Sequence, residues 1–256
     1  MFTRAIVRPP APNFAHGLTT AGLGAPDYEL ALKQHEAYCV ALAQCGITLT
    51  RLEPDPNYPD STFVEDTAIL TSHGAVLARP GAPSRGGEVA SMRRVLADFF
   101  PNLASIEAPG TVDGGDVCEA GNHFFIGLSE RTNEAGAQRL TELLAPSCYT
   151  SCAVDIRDID GLLHLKSGLA SLGDNRLVAA EGLAGRTEFA GFDLVVVSVK
   201  ETYAANCVKV NDQVLVAAGY PAFERTLRRL DYQTITLEMS EFQKMDGGLS
   251  CLSLRF

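Results

Sequence analysis

Cys251 is the residue in this 256-residue chain whose type and setting combine to make a nucleophile. It sits in Asp246-Gly247-Gly248-Leu249-Ser250-Cys251, where a Gly-Gly turn runs into a last apolar strand ending at Phe256. A thiol placed where a glycine-rich loop opens a strand has backbone that can be held close around a substrate. Far upstream, His164 in Leu163-His164-Leu165-Lys166 and Asp113 in Thr111-Val112-Asp113-Gly114-Gly115-Asp116 hold comparable positions at the head of apolar segments. Cysteine, histidine and carboxylate are what thiol nucleophilic catalysis requires.

The charged residues near them describe a ligand. In Phe63-Val64-Glu65-Asp66 two adjacent carboxylates precede the apolar Ala68-Ile69-Leu70, and burying them is costly unless a cation compensates. Asp60, Glu65, Asp66 and Asp113 together match a planar, multi-donor cation such as a guanidinium. Arg85 heads a helical pattern, where a cation opposes the helix dipole, and Arg131 stands in the equivalent place one unit later. Two arginines match a carboxylate. A molecule with guanidinium at one end and carboxylate at the other is an arginine derivative.

The elements that must bring these residues together repeat. Hydrophobic periodicity and turn residues predict a strand at 66–72, a turn at His73-Gly74, a strand at 75–79, a helix carrying Val89, Met92, Val95, Leu96, Phe99 and Phe100, and a strand at 104–107. The same phrase returns as strands 116–120 and 124–128, helix 132–144 and a strand near 150–156. A third copy has strands 168–172 and 176–180, a helix around 185–190 and strand 193–198. A fourth has strands 207–210 and 213–218, helix 221–230 and strand 233–238. The fifth is split across the termini: strand 3–8, helix 27–44 and strand 47–52 lack an opening arm, which 251–256 supplies. Five strand-strand-helix-strand units of this kind close into a ring, read as one domain over 1–256 with the C-terminal strand completing the first unit. Asp66, Asp116, His164, Asn206 and Cys251 fall 50, 48, 42 and 45 residues apart, each at the head of its unit's first strand. In a ring those heads point to one end of the axis, so the spacing predicts one site built from all five units.

Composition sets the outer bounds. Apolar residues are 46% and charged residues 20% of the chain, the balance of a globular protein. A net charge of −10 with scattered Lys and Arg argues against a nucleic-acid partner. No signal peptide and no apolar run of about 18 residues is read, so neither secretion nor a membrane span is expected. Seven cysteines without CxxC spacing favour a reducing, cytoplasmic location over a disulfide framework or zinc site. A papain-like protease is disfavoured because its cysteine precedes its histidine. The oligomeric state, monomer or homodimer, stays open.

The motifs PDSTFVEDTA (59–68), ARPGAPSR (78–85), TVDGGDV (111–117), FFIGLSERTN (124–133), LHLKSGL (163–169), YAANC (203–207) and KMDGGLSCLSLRF (244–256) resemble the dimethylarginine dimethylaminohydrolase family of the guanidino-modifying, or pentein, superfamily. The resemblance runs the length of the chain and implies a five-bladed α/β propeller. It implies Cys251 as nucleophile, His164 as general acid and base, and Asp113 as the carboxylate that orients the histidine. It places Leu18, Asp60, Glu65, Asp66, Arg85, Arg131 and Met245 at substrate-contacting positions, with Leu18 in a mobile lid and Met245 contributing its backbone carbonyl. The activity implied is hydrolysis of asymmetric dimethylarginine or monomethylarginine to citrulline and the methylated amine, through a Cys thiouronium and with no metal or organic cofactor. Arginine deiminases resemble this pattern but have His-x-Asp where this chain has His164-Leu165-Lys166, and losing that aspartate favours a methylated nitrogen with no N–H to satisfy. Arginine deimination and a non-enzymatic pentein binding protein are the alternatives.

Overall fold

The structure, a computed structural model describing residues 1–256, holds fifteen strands in five three-stranded sheets. The second blade is β3 (Ala68–Thr71), β4 (Gly74–Leu77) and β5 (Leu103–Ser105), with helix α2 (Glu88–Leu96) between the last two. The third is β6 (Val117–Ala120), β7 (His123–Leu128) and β8 (Thr150–Asp155), with α3 (Glu134–Leu144). The fourth is β9 (Leu169–Gly173), β10 (Arg176–Ala180) and β11 (Asp193–Val197). The fifth is β12 (Val208–Val210), β13 (Gln213–Ala217) and β14 (Gln233–Leu237), with α4 (Pro221–Arg229). In each, the middle strand runs antiparallel to the first and parallel to the third.

The first blade joins the two ends of the chain, as the split repeat requires. Strand β1 (Arg4–Val7) pairs parallel with β2 (Thr48–Arg51) across α1 (Tyr28–Gln44), and antiparallel with β15 (Leu254–Arg255). Phe256 adds its carbonyl to the N–H groups of Thr3 and Arg4 and its ring to Phe99 and Phe100. Local chemistry sets the helix limits. Asp27 caps α1 by accepting the Leu30 N–H, Asn133 caps α3 by accepting the Gly136 N–H, and Gly46 at φ +83° ends α1 in the left-handed conformation.

The structure departs from the expected elements at informative places. Residues 185–190 do not make a helix: only a 3₁₀ turn, Thr187–Phe189, covers the fourth blade. The first strand of each blade starts later than expected because a 3₁₀ turn precedes it: Val64–Thr67, Gly114–Asp116, Leu165–Ser167, Val199–Ala205 and Ser250–Leu252. The C-terminal strand therefore shrinks to two residues, and Lys166 lies on the turn Leu165–Ser167. The reactive residues sit on or beside these turns. A tight turn presents successive side chains in several directions, whereas a strand offers only two faces.

Apolar side chains fill the spaces between neighbouring blades. The largest such cluster packs α1 against β12, β13 and the C-terminal turn, and includes Phe14, Tyr38, Phe242 and Leu252. Burying each large side chain contributes roughly 1.5–3 kcal/mol. Tyr38, fully buried, shares a 2.6 Å hydrogen bond with Ser253 Oγ, so the outer helix fixes the segment that carries Cys251. No helix is long and apolar enough to cross a membrane.

Candidate active site

Cys251, His164, Asp66, Asp60, Arg85, Arg131, Leu18 and Met245 line one small cavity of about 30 Å³, joined by Phe63, Leu163, Asp246 and Gly247. The sulfur and the imidazole, 87 positions apart in the chain, thus open on the same space. Asp113 lies behind it, fully buried, with Oδ2 at 3.1 Å from His164 Nε2 and Oδ1 accepting the Gly81 N–H at 2.8 Å. Glu65 is not brought into that lining. It is buried beside Lys166 Nζ and Ser250 Oγ, each at 2.7 Å, and faces a second, larger cavity of about 660 Å³ walled by the first strands of the blades.

The two glycine pairs work by close approach. None of Gly114, Gly115, Gly247 and Gly248 has a positive φ, and Gly114 and Gly115 lie in the 3₁₀ turn Gly114–Asp116. A Cβ on Gly115 would lie 2.7 Å from His164 Nδ1 and 2.8 Å from Asp66 Oδ1, so only glycine lets the imidazole and that carboxylate draw together. A Cβ on Gly248 would lie 2.6 Å from Asn206 Oδ1, and Gly248 also donates its N–H to Cys251 Sγ at 3.4 Å.

The two arginines differ. Arg85 is buried and committed: Nε and Nη2 reach the Glu88 carboxylate, Nη1 reaches Asp66 at 2.6 Å, and Nη2 also reaches the carbonyls of Asp60 and Phe63. Arg131 is half-buried, and its guanidinium has no hydrogen bond or ion pair within the protein. The second therefore brings an unpaired positive charge to the cavity.

Over the cavity, residues 17–20 form a strap tied at both edges. The Leu18 N–H donates to both oxygens of Asp60, at 3.0 and 3.2 Å, Thr19 Oγ1 donates to the Lys244 carbonyl, and Thr20 donates to Asp246 Oδ2. Met245 is buried, and no protein group hydrogen-bonds its carbonyl oxygen.

Electrostatics poise the pair in its fully protonated form. Burial opposes a charge on His164, but Asp66, Asp116 and Asp113 outweigh it and raise the imidazole to about 9. Burial, reinforced by Glu65 and Asp66, pushes the Cys251 thiol up to about 12 against the Gly248 N–H. Burial also works against the Asp66 carboxylate, yet His164, Arg85 and the Gly115 N–H hold it down at about 2. Asp66, Asp113 and His164 could each offer one atom to a metal, all within 4.8 Å of one another. Those atoms are engaged instead by Arg85, Gly115, Gly81 and each other.

Sequence reasoning left Asp116 without a role, though the repeat had marked it. It is fully buried, accepting from Ser129 Oγ and Thr132 Oγ1 at 2.7 Å each and from the Leu165 N–H at 2.9 Å. Glu88, which holds Arg85, carried no signal beyond its i+3 spacing from that arginine.

The chain resembles known proteins over its whole length. A family model described as arginine deiminase matches residues 29–190. An N(G),N(G)-dimethylarginine dimethylaminohydrolase of Pseudomonas aeruginosa is 44% identical over the whole of both chains. One of Streptomyces coelicolor is 33% identical, covering 98% of this chain and 96% of that one. A solved structure of the Pseudomonas aeruginosa enzyme, a cysteine-to-serine variant complexed with citrulline, superposes with a TM-score of 0.97 over all of both chains.

Proposed function

The chain belongs to the dimethylarginine dimethylaminohydrolase family, and on that premise we propose how it hydrolyses N-ω-methylated arginine to citrulline and the methylated amine. One observation carries the reading: a thiol, an imidazolium and buried carboxylates share a cavity with an unpaired arginine. A guanidinium placed against Asp66 and Asp60 is charge-matched, and its distant α-carboxylate meets Arg131, with Arg85 supplying a remaining Nη1–H.

The substrate's own charge activates the sulfur. Burial, Glu65 and Asp66 raise the Cys251 thiol, and a cation bound in the small cavity offsets the Asp66 charge and sets its own positive charge beside the sulfur, so binding lowers the cost of forming thiolate. The thiol loses its proton to solvent, and the thiolate attacks the guanidinium carbon to give a tetrahedral adduct. His164, held at Nε2 by Asp113, gives a proton from its other nitrogen to the methylated amine, which departs and leaves a thiouronium on Cys251. The now neutral imidazole takes a proton from water, hydroxide adds to the same carbon, and collapse releases citrulline while the hydroxyl proton passes to the departing sulfur, restoring the thiol and the imidazolium. The strap of Leu18 excludes other water during both halves.

We also place residues 1–256 as a single domain closed by β15, in a reducing, cytoplasmic compartment, since all seven cysteines are free thiols. The deciding experiment supplies asymmetric dimethylarginine and unmodified arginine separately and identifies the amine. Dimethylamine with citrulline from the first, and little ammonia from the second, is the expected result. Ammonia from arginine at the greater rate would move the chain to deimination, the activity described by the matching family model.

A further inference from the structure

A second thiol–imidazole pair lies outside the catalytic cavity. His123 on β7 faces Thr150 across the parallel register, and the two-residue period of β8 puts Cys152 on the same face as Thr150. The imidazole reaches both: Nδ1 is 2.7 Å from Thr150 Oγ1 and Nε2 is 3.2 Å from Cys152 Sγ. The Thr150 hydroxyl is also 3.3 Å from the Asn122 carbonyl, which can only accept. In the tautomer that gives the hydroxyl proton to that carbonyl, Thr150 Oγ1 accepts from Nδ1–H, and Nε2 keeps a lone pair aimed at the sulfur. Phe125, edge-on to His123 with ring centroids 4.7 Å apart, holds the ring in this plane.

The chain's other thiols show what this arrangement adds. Cys148 is exposed, but no imidazole accompanies it. Cys39 has His35 Nδ1 at 3.7 Å, but both residues are fully enclosed. Cys152 is half-buried on an edge strand and has both a base and access.

We propose that Cys152, with His123 as base and Thr150 fixing its tautomer, is an oxidation site at which hydrogen peroxide converts the thiol to a sulfenic acid. Burial and the nearby Glu188 push the Cys152 thiol up, while burial pushes the His123 imidazole down. The resting pair is therefore S–H···N rather than an ion pair, and the base acts during attack. Sγ attacks one peroxide oxygen, forming S–O as O–O breaks, so sulfur loses two electrons and peroxide gains them. The thiol proton passes through Nε2 to the departing hydroxide, which leaves as water.

The test treats a Cys251→Ser background with hydrogen peroxide, traps sulfenic acid with dimedone and ranks the cysteine peptides by mass spectrometry. Cys152 is trapped ahead of the more exposed Cys148, and Cys39 stays unmodified. His123→Gln slows Cys152 trapping by about tenfold or more while leaving Cys148 unchanged. With Cys251 intact, the His123→Gln chain still hydrolyses dimethylarginine at the parent rate, which reports its fold. Should that variant fail to fold, Thr150→Val keeps the imidazole and loses its tautomer-fixing acceptor, and is expected to slow Cys152 trapping as well. Trapping of Cys148 before Cys152, or a Cys152 rate indifferent to both substitutions, overturns the proposal.

Discussion

Asp113 Oδ2 stands 3.1 Å from His164 Nε2, and the same carboxylate is held from its other side by the Gly81 N–H at 2.8 Å. The second bond fixes the carboxylate, so the imidazole is oriented by a group that cannot itself rotate away. Replacing Asp113 with asparagine keeps the shape but removes the charge beside the imidazolium and allows the wrong tautomer. A fall in kcat of about 10²–10⁴ is expected, with KM much less affected. The His164 titration, followed by NMR, should move below its value of about 9. A variant with unchanged kcat would remove Asp113 from the proton-transfer pair.

The pH profile follows from the protonated resting pair. At neutral pH the free protein holds Cys251 as thiol and His164 as imidazolium. Attack needs thiolate with imidazolium, a state one proton poorer than the resting form. kcat/KM should therefore rise about tenfold per pH unit and level off near 9, where the free protein loses its first proton. Stability runs the other way. His164 is raised above its unfolded value of about 6.5, so its contribution is complete below about 6.5 and is lost as pH climbs through about 9. The difference in urea midpoint between the parent and His164→Gln should shrink between about pH 6 and pH 9.

Much of the site was legible because the ring imposes a period. Asp66, Asp116, His164, Asn206 and Cys251 recur at near-equal spacing, and each lies on or beside the 3₁₀ turn that opens its blade. The turns themselves were not legible, since a short 3₁₀ run of three to seven residues has no periodicity that separates it from the strand it precedes. The missing fourth-blade helix had a physical warning in its composition: residues 182–191 hold three glycines and one large aliphatic side chain. The direction of Glu65 could not be read, because one residue's rotation on a turn decides whether a carboxylate meets the small cavity or the large one. The Gly-Gly pairs carried a related ambiguity. Glycine signals either a positive φ or a close neighbour, and only the fold tells which.

Arg85 and Arg131 should separate cleanly on substitution. Arg131 makes no ion pair in the protein, so Arg131→Ala should raise KM for dimethylarginine by about 10-fold or more with little change in folding stability. Arg85 neutralises buried Asp66 and Glu88, and Arg85→Ala leaves both uncompensated. That change is expected to destabilise the fold by about 3–5 kcal/mol, read from denaturant midpoints, beyond any effect on binding. Equal stabilities for the two variants would contradict the division of labour drawn from their contacts.

Asp116 offers the sharpest test of how the fold sets the chemistry, because it touches no substrate yet joins three functional segments. Its Oδ1 accepts the N–H of Leu165, next to His164, while Oδ2 accepts from Thr132, whose hydroxyl also takes the Asp113 N–H, and from Ser129, whose hydroxyl takes the Arg131 N–H. Burial raises this carboxyl to about 6, while His164 and the three donors pull it down. Asp116→Asn can still meet the Leu165 N–H through its carbonyl, and the Thr132 hydroxyl can turn to accept from its amide, so most of the scaffold should persist; Ser129 Oγ already accepts from the Arg131 and Thr132 N–H groups and loses only the acceptor for its proton. What disappears is one of the three negative charges that raise His164. The imidazole should then titrate lower, bringing the plateau of kcat/KM to lower pH, with kcat reduced and KM for dimethylarginine nearly unchanged. A purely scaffolding role predicts the reverse: a loss of stability with the profile unmoved. The position of the plateau in Asp116→Asn therefore separates charge from architecture.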